Sequence, residues 1–213
     1  MDELIICFKR ELLSTYLDQS IVFYNPLLWY RILDNLQVIP RSKVEEDIEF
    51  KQLVVYIVIK SGDFYLTYQR SAKTGEQRLS EKYSLGIGGH VDIADKEQLS
   101  IYGNQSKDKI IYNAIWRELM EEVDLKLSNI LAEPKIICFI NDDSDAVGKV
   151  HFGVVSLLKI KKRIISRREG ISKGKGIAKL NFYDLDHLNA KKSHFEKWSQ
   201  LLIDYFMENR GDI

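Results

Sequence analysis

Between Asp108 and Asp124 the chain commits itself to a helix. Ile111, Ile115, Leu119 and Val123 recur at every fourth position, the spacing that keeps apolar side chains on one face. Asp108 is placed to cap its start. The same stretch carries Arg117-Glu118-Leu119-Met120-Glu121-Glu122. Glu118 and Glu122 stand one turn apart and Glu121 is three residues from Glu118, so the three carboxylates share an arc about 100° wide. Like charges at such spacings repel, and more strongly where water is excluded. A divalent cation turns that repulsion into coordination, because hard Mg2+ prefers carboxylate oxygen. Arg117, four residues before Glu121, can orient one carboxylate through a bidentate pair. A solvated acidic face would carry the same residues, so the helix alone leaves both readings open.

Upstream, Gly86-Ile-Gly88-Gly89 precedes His90, and three glycines in four positions point to a sharp bend or a close approach to a ligand. Gln52–Val58 is β-branched and aromatic and reads as a buried strand, with Asp63–Gln69 as its hairpin partner across Ser61-Gly62. Residues 135–140 and 149–160 read as two further strands around the turn-prone 141–145. A short strand is expected near Ile177–Phe182. The chain closes with an amphipathic helix over 193–208 carrying Phe195, Trp198, Leu202 and Phe206. The first 48 residues show helix-like spacing and are expected to pack as an extension on a single globular unit over 49–213. Together these elements predict an α/β sandwich with a mixed sheet.

The chain's totals remove several classes. Lys plus Arg and Asp plus Glu number 31 each, so global charge gives no argument for nucleic acid. Nine basic residues and one acid, Glu169, lie between Lys159 and Lys179, without interleaved aromatics for base stacking. No apolar run approaches the roughly 20 residues of a membrane span, and the start MDELIICFKRELL lacks the basic flank of a secretory signal. Two cysteines, Cys7 and Cys138, form neither a disulfide framework nor a metal spacing. A cytoplasmic location is the expectation.

The glycine cluster and the acidic helix together resemble the Nudix box, in which a glycine is followed after five residues by Glu, and after seven more by Arg-Glu-aliphatic-x-Glu-Glu-x-Gly-aliphatic. Gly89 matches the leading glycine, and Arg117, Glu118, Leu119, Glu121, Glu122 and Leu125 fill the helical half. Tyr68-Gln69-Arg70, Gly148–Gly153 and Phe195–Ser199 are similar to a bacterial subgroup with a Gly-Gly-His loop, which extends the resemblance over roughly residues 50–208. The box departs in two places. Asp95 stands at the position of the first Glu, about 14 residues too far from Arg117, so an insertion over roughly 96–109 enlarges the loop. Either Asp92 or Asp95 replaces that Glu. Asp124 stands where the box has Gly to end the helix in a left-handed conformation, which Asp tolerates better than most residues.

The resemblance implies a Nudix-type α/β/α sandwich and a hydrolase that cleaves a diphosphate linkage in a nucleotide-like small molecule with Mg2+ or Mn2+. It implies metal ligation by Glu118, Glu121, Glu122 and the carbonyl of Gly89. Arg117, Glu121, Glu122 and Glu169 are the catalytic candidates, with Glu121 or Glu169 as general base. Arg70 and His90 are the candidates for substrate contact, while His151 reads as a structural histidine. A homodimer is open, with the N-terminal 48 residues as a possible interface. The alternative from another class is a catalytically silent ligand sensor on the same fold. An isoprenyl diphosphate isomerase would need a cysteine near the box, and neither Cys7 nor Cys138 is near it in sequence.

Overall fold

The structure, a computed structural model, describes residues 2–16, 20–70, 82–97, 108–167 and 177–211. Its first elements are β1 (Leu4–Lys9), β2 (Val22–Phe23), α1 (Pro26–Leu33), β3 (Gln37–Pro40), α2 (Arg41–Val44), β4 (Phe50–Ser61), β5 (Phe64–Arg70), β6 (Tyr83–Ser84) and β7 (Gly86–His90). There follow α3 (Ala94–Glu97), α4 (Lys109–Glu122), β8 (Val123–Asp124), β9 (Lys135–Ile140), α5 (Ala146–Val150) and β10 (His151–Lys159). The last are β11 (Ser166–Arg167), β12 (Ile177–Asp184), α6 (Leu185–Ala190) and α7 (Lys197–Glu208). The fold is mixed α/β with a large mixed sheet. The strands and the two long helices expected from periodicity are all present. No helix among the described residues is long and apolar enough to cross a membrane.

The chain divides into two compact units. The first comprises Met1–Tyr56, Gly88–Arg117 and Ile136–Ser156, the second Ile57–Ile87, Glu118–Lys135 and Leu157–Ile213. β4, β7, α4 and β10 each begin in one unit and continue into the other.

In the first unit the N-terminal residues depart from the helix-like reading. β1 lies between β3 and β4, antiparallel to both, with Ile5 opposite Ile39 and Cys7 opposite Gln52. Ile5, Ile6, Cys7 and Phe8 are all buried. Four consecutive buried positions suit a strand covered on both faces and do not suit a one-sided helix. α1 is a true helix: Asn25 caps it by accepting from the Leu28 N–H at 3.0 Å, and Pro26 occupies the first turn, where no N–H is missed. The core is aromatic. Phe8 meets Phe152 edge-on at 5.3 Å, and Phe139 packs on Trp29 at 5.1 Å and on Phe152 at 5.6 Å. Each such ring contributes about 2–3 kcal/mol on burial. Both cysteines are buried free thiols, and burial pushes Cys7 up to about 12.

In the second unit β12 runs antiparallel to β5, with Phe182 opposite Leu66. Gly62 turns the β4–β5 hairpin at φ +57°, a conformation that costs glycine nothing. α7 buries Leu202, Ile203 and Phe206, and Phe206 stacks on Tyr65 at 5.5 Å. The expected left-handed conformation at Asp124 is not found: glycine aside, no described residue has positive φ. The helix stops at Glu122 and the chain extends at once, Asp124 pairing with Ser166. Strand pairing, not a C-terminal turn, satisfies the backbone there.

Candidate functional site

α4 forms as its periodicity demands. Ile111 and Ile115 are fully buried, Leu119 and Val123 nearly so, and the Asp108 carbonyl accepts the first-turn N–H groups of Ile111 and Tyr112. Its carboxylates sit in unlike surroundings. Glu118 is 3% exposed, Glu122 half-buried and Glu121 exposed.

Arg117 is held within the first unit by Asp95, an acid of α3. Its Nε donates to Asp95 Oδ1 at 2.7 Å and its Nη2 to Asp95 Oδ2 at 2.9 Å, the two-pronged geometry that guanidinium and carboxylate favour. The same Nη2 donates to the His90 carbonyl at 2.8 Å. Asp95 has no solvent exposure. Its Oδ2 also accepts from the Asp92 N–H at 2.8 Å, and its carbonyl accepts from Asn113 Nδ2 at 2.7 Å. Asp92 does something else: its Oδ1 accepts from the Ala94 N–H and starts α3. Of the two acids left open by the sequence, Asp95 is the one that grips Arg117.

The three glycines lie in β7, and Gly88 serves packing, since a Cβ there would sit 1.8 Å from the Val55 carbonyl oxygen. The close approach is strand against strand. Next to it, His90 Nε2 lies 2.9 Å from Gln52 Oε1 and 3.0 Å from His151 Nε2. Gln52 donates its amide to the Val44 carbonyl, leaving Oε1 to accept. His151 Nδ1 donates to the Val147 carbonyl at 2.7 Å, so in its neutral form Nε2 is an acceptor too. The proton between the rings therefore belongs on His90 Nε2. Burial holds the His151 pKa below its ordinary 6.5, against the opposing pull of the Val147 carbonyl.

A second polar cluster escaped the sequence reading. Lys51 has no exposed side-chain surface. Its ammonium donates to Asp143 Oδ1 at 2.6 Å, the Gly148 carbonyl at 2.8 Å and the His151 carbonyl at 3.3 Å. Arg10 donates to the other Asp143 oxygen at 2.5 Å. Burial lowers the Lys51 pKa and the Asp143 ion pair opposes that. The loop beneath is fixed by Asp145, which caps α5 by accepting from the Gly148 N–H. A Cβ on Gly148 would lie 1.8 Å from the Asp142 carbonyl oxygen. The only signal in the sequence was a lysine at the head of an apolar strand and acids in the turn 141–145.

Of the other candidates, Arg70 ends β5 as expected, opposite Ile177, with its backbone alone among the described residues. Glu169 and most of the insertion, residues 98–107, lie outside them. Among the described residues no three His, Cys, Asp or Glu side chains are gathered closely enough to hold a metal ion. Glu118 and Glu122 nevertheless supply hard carboxylate oxygens one helical turn apart, a donor chemistry that fits Mg2+ or Mn2+.

The chain is 35% identical to Protein YmaB of Bacillus subtilis (strain 168) over 167 residues, 77% of this chain and 75% of that protein. Its structure resembles the crystal structure of Tm1382, a candidate Nudix hydrolase, with a TM-score of 0.74 and 25% identity, covering 97% of this chain and 99% of that one. No family model matches the chain.

Proposed function

The chain belongs to the Nudix family, and on that premise we propose that it is a metal-dependent pyrophosphohydrolase cleaving the diphosphate linkage of a nucleotide-like small molecule. The observation that carries the proposal is the clamp of Arg117 on Asp95 and on the His90 carbonyl. Glu118 is the next residue of α4. Glu118, Glu121 and Glu122, with the Gly89 carbonyl, are the groups proposed to hold Mg2+ or Mn2+. The cation, when bound, polarises the diphosphate and offsets charge on the leaving phosphate. Glu121 or Glu169 is the proposed base, taking a proton from the water as its oxygen attacks phosphorus and the bridging P–O bond breaks. Arg70 is proposed to meet a substrate phosphate. His90, engaged by Gln52 and His151, is proposed to brace the glycine loop more than to bind substrate.

A catalytically silent binding protein is the second reading, favoured by the insertion before Arg117 and by Asp95 standing where the box has Glu. Incubation with nucleoside triphosphates, nucleotide sugars, dinucleotides and non-nucleotide diphosphates, in Mg2+, Mn2+ or chelator, separates the two. Release of phosphate or pyrophosphate that needs the cation supports the hydrolase. Failure to turn over any of them, with binding of one that ignores the chelator, supports the silent protein.

A further inference from the structure

The basic stretch that opens at Lys159 takes no part in the proposed hydrolysis. In the second unit residues 129–131 run antiparallel to 159–161. Ile130 bridges Ile160, the Leu131 N–H donates to the Lys159 carbonyl at 2.9 Å, and the Lys161 N–H donates to the Asn129 carbonyl at 2.8 Å. One side chain fastens the loop beyond. Asn129 Nδ2 donates to the Lys162 carbonyl at 2.9 Å and to the Ile164 carbonyl at 3.3 Å, and its Oδ1 accepts from the Lys162 N–H at 2.9 Å. Lys161 Nζ adds a bond to the Ser128 carbonyl at 2.9 Å. The two segments form one ledge, with Leu127 and Leu131 each two residues from Asn129 and the Ile164 backbone bonded to it.

What the ledge shows to solvent is of two kinds. Leu127, Leu131 and Ile164 are 63%, 58% and 68% exposed. Exposed aliphatic side chains are ordinary when scattered and informative when gathered on one fastened element. Lys126, Lys159, Lys161, Lys162 and Arg163 are exposed as well. Residues 125–131 and 159–165 contain no acid, so the ledge carries five positive charges in a chain of zero formal net charge. No ion pair among the described residues uses any of the five. A partner that matches both features is acidic and takes up short aliphatic side chains. An anionic bilayer does so: its headgroups attract lysine, and the boundary with its acyl chains accepts apolar groups. Single-stranded nucleic acid matches the charge alone, since it calls for open aromatic faces. The ring that meets the ledge, Phe64, is covered by the Arg163 guanidinium 4.0 Å from its centre.

We propose that this ledge docks the protein on an anionic lipid surface, with Leu127, Leu131 and Ile164 entering the headgroup boundary and the basic side chains meeting lipid phosphate and carboxylate. It is contact with the surface and not a span, and it does not depend on the proposed hydrolysis.

The test is sedimentation of the full chain with vesicles of phosphatidylcholine alone and of phosphatidylcholine mixed with phosphatidylserine. Binding is expected only to the anionic vesicles, and it should fade as salt is raised. Lys126→Gln combined with Lys162→Gln should weaken it about 25-fold, since each basic residue near an anionic leaflet strengthens binding about 5-fold. Leu127→Gln combined with Ile164→Gln should weaken it about 10-fold and leave the salt dependence as it was. Lys149→Gln combined with Lys197→Gln removes the same charge from exposed positions elsewhere and should change binding less than about 2-fold. All these substitutions fall at exposed positions, so thermal midpoints should match the parent protein and a loss of binding is not a loss of fold. Equal sedimentation with both kinds of vesicle, or with neither, overturns the proposal. So does a loss in the Lys149 and Lys197 pair as large as in the Lys126 and Lys162 pair. Anionic binding that ignores the Leu127 and Ile164 substitutions also overturns it, and points to an acidic macromolecule recognised by charge alone.

Discussion

Asp95 has no access to solvent, and both its carboxylate oxygens are held by Arg117. Removing one partner of such a pair strands the other charge, at a cost of about 3–5 kcal/mol. Asp95→Asn should therefore lower the unfolding free energy by about 3 kcal/mol, read as a shift of the urea midpoint. Asp92→Asn removes only a local turn contact to Ala94 and should cost about 1 kcal/mol or less. Equal effects would mean that the two acids share the task. A second residue gives a pH signature. The His151 pKa is lowered in the folded state, chiefly by burial, so below pH 6.5 the unfolded chain binds more protons than the folded one. Its contribution to stability is complete above 6.5 and is lost as pH falls toward the lowered value. Urea midpoints should fall more steeply in that window for the parent protein than for His151→Gln, and identical slopes would contradict the assignment.

Elements formed where the local pattern and the packing agree, and went unread where packing alone decides. β4, β5, β9, β12, α4 and α7 each follow a period or turn visible in the chain. β1 did not, because a strand buried on both faces has no alternation, and its short apolar run looks like one side of a helix. The glycine cluster read as a sharp bend or a close approach to a ligand, but what Gly88 approaches is the Val55 carbonyl, on a strand distant in sequence. Likewise Lys51, Arg10 and Asp143 carry no spacing that could announce them, since three separate segments bring them together. The paired identity of Asp95 was similarly hidden by the residues inserted before Arg117. This account predicts opposite outcomes for two glycines. Gly88→Ala puts a methyl group into the Val55 carbonyl and should cost about 3 kcal/mol or more. Gly62→Ala meets open space and bears only the left-handed backbone, about 1–2 kcal/mol. Thermal melts of the two variants decide it, and a Gly88→Ala protein as stable as Gly62→Ala would show that β7 can shift.

At the scale of the whole molecule, the same secondary elements serve two units: the first carries Arg117 and Asp95, the second Glu118 and Glu122, and α4 runs through both. The sequence spoke most clearly about α4, because its apolar period and its acids are local. It spoke least about the cavity lined by Tyr83, Tyr183, His187, Lys191, His194 and Phe195, which come from two distant stretches of chain. The central claim is that the acids of α4 support hydrolysis of a diphosphate linkage. The most direct measurement compares turnover by the unaltered protein and Glu122→Gln in Mg2+, on whichever diphosphate compound the unaltered protein cleaves, with matched unfolding midpoints as the control for folding. Gln keeps the side-chain size and removes the charge. The account predicts that turnover falls about 100-fold or more with little change in stability, and undiminished turnover in Glu122→Gln would contradict it.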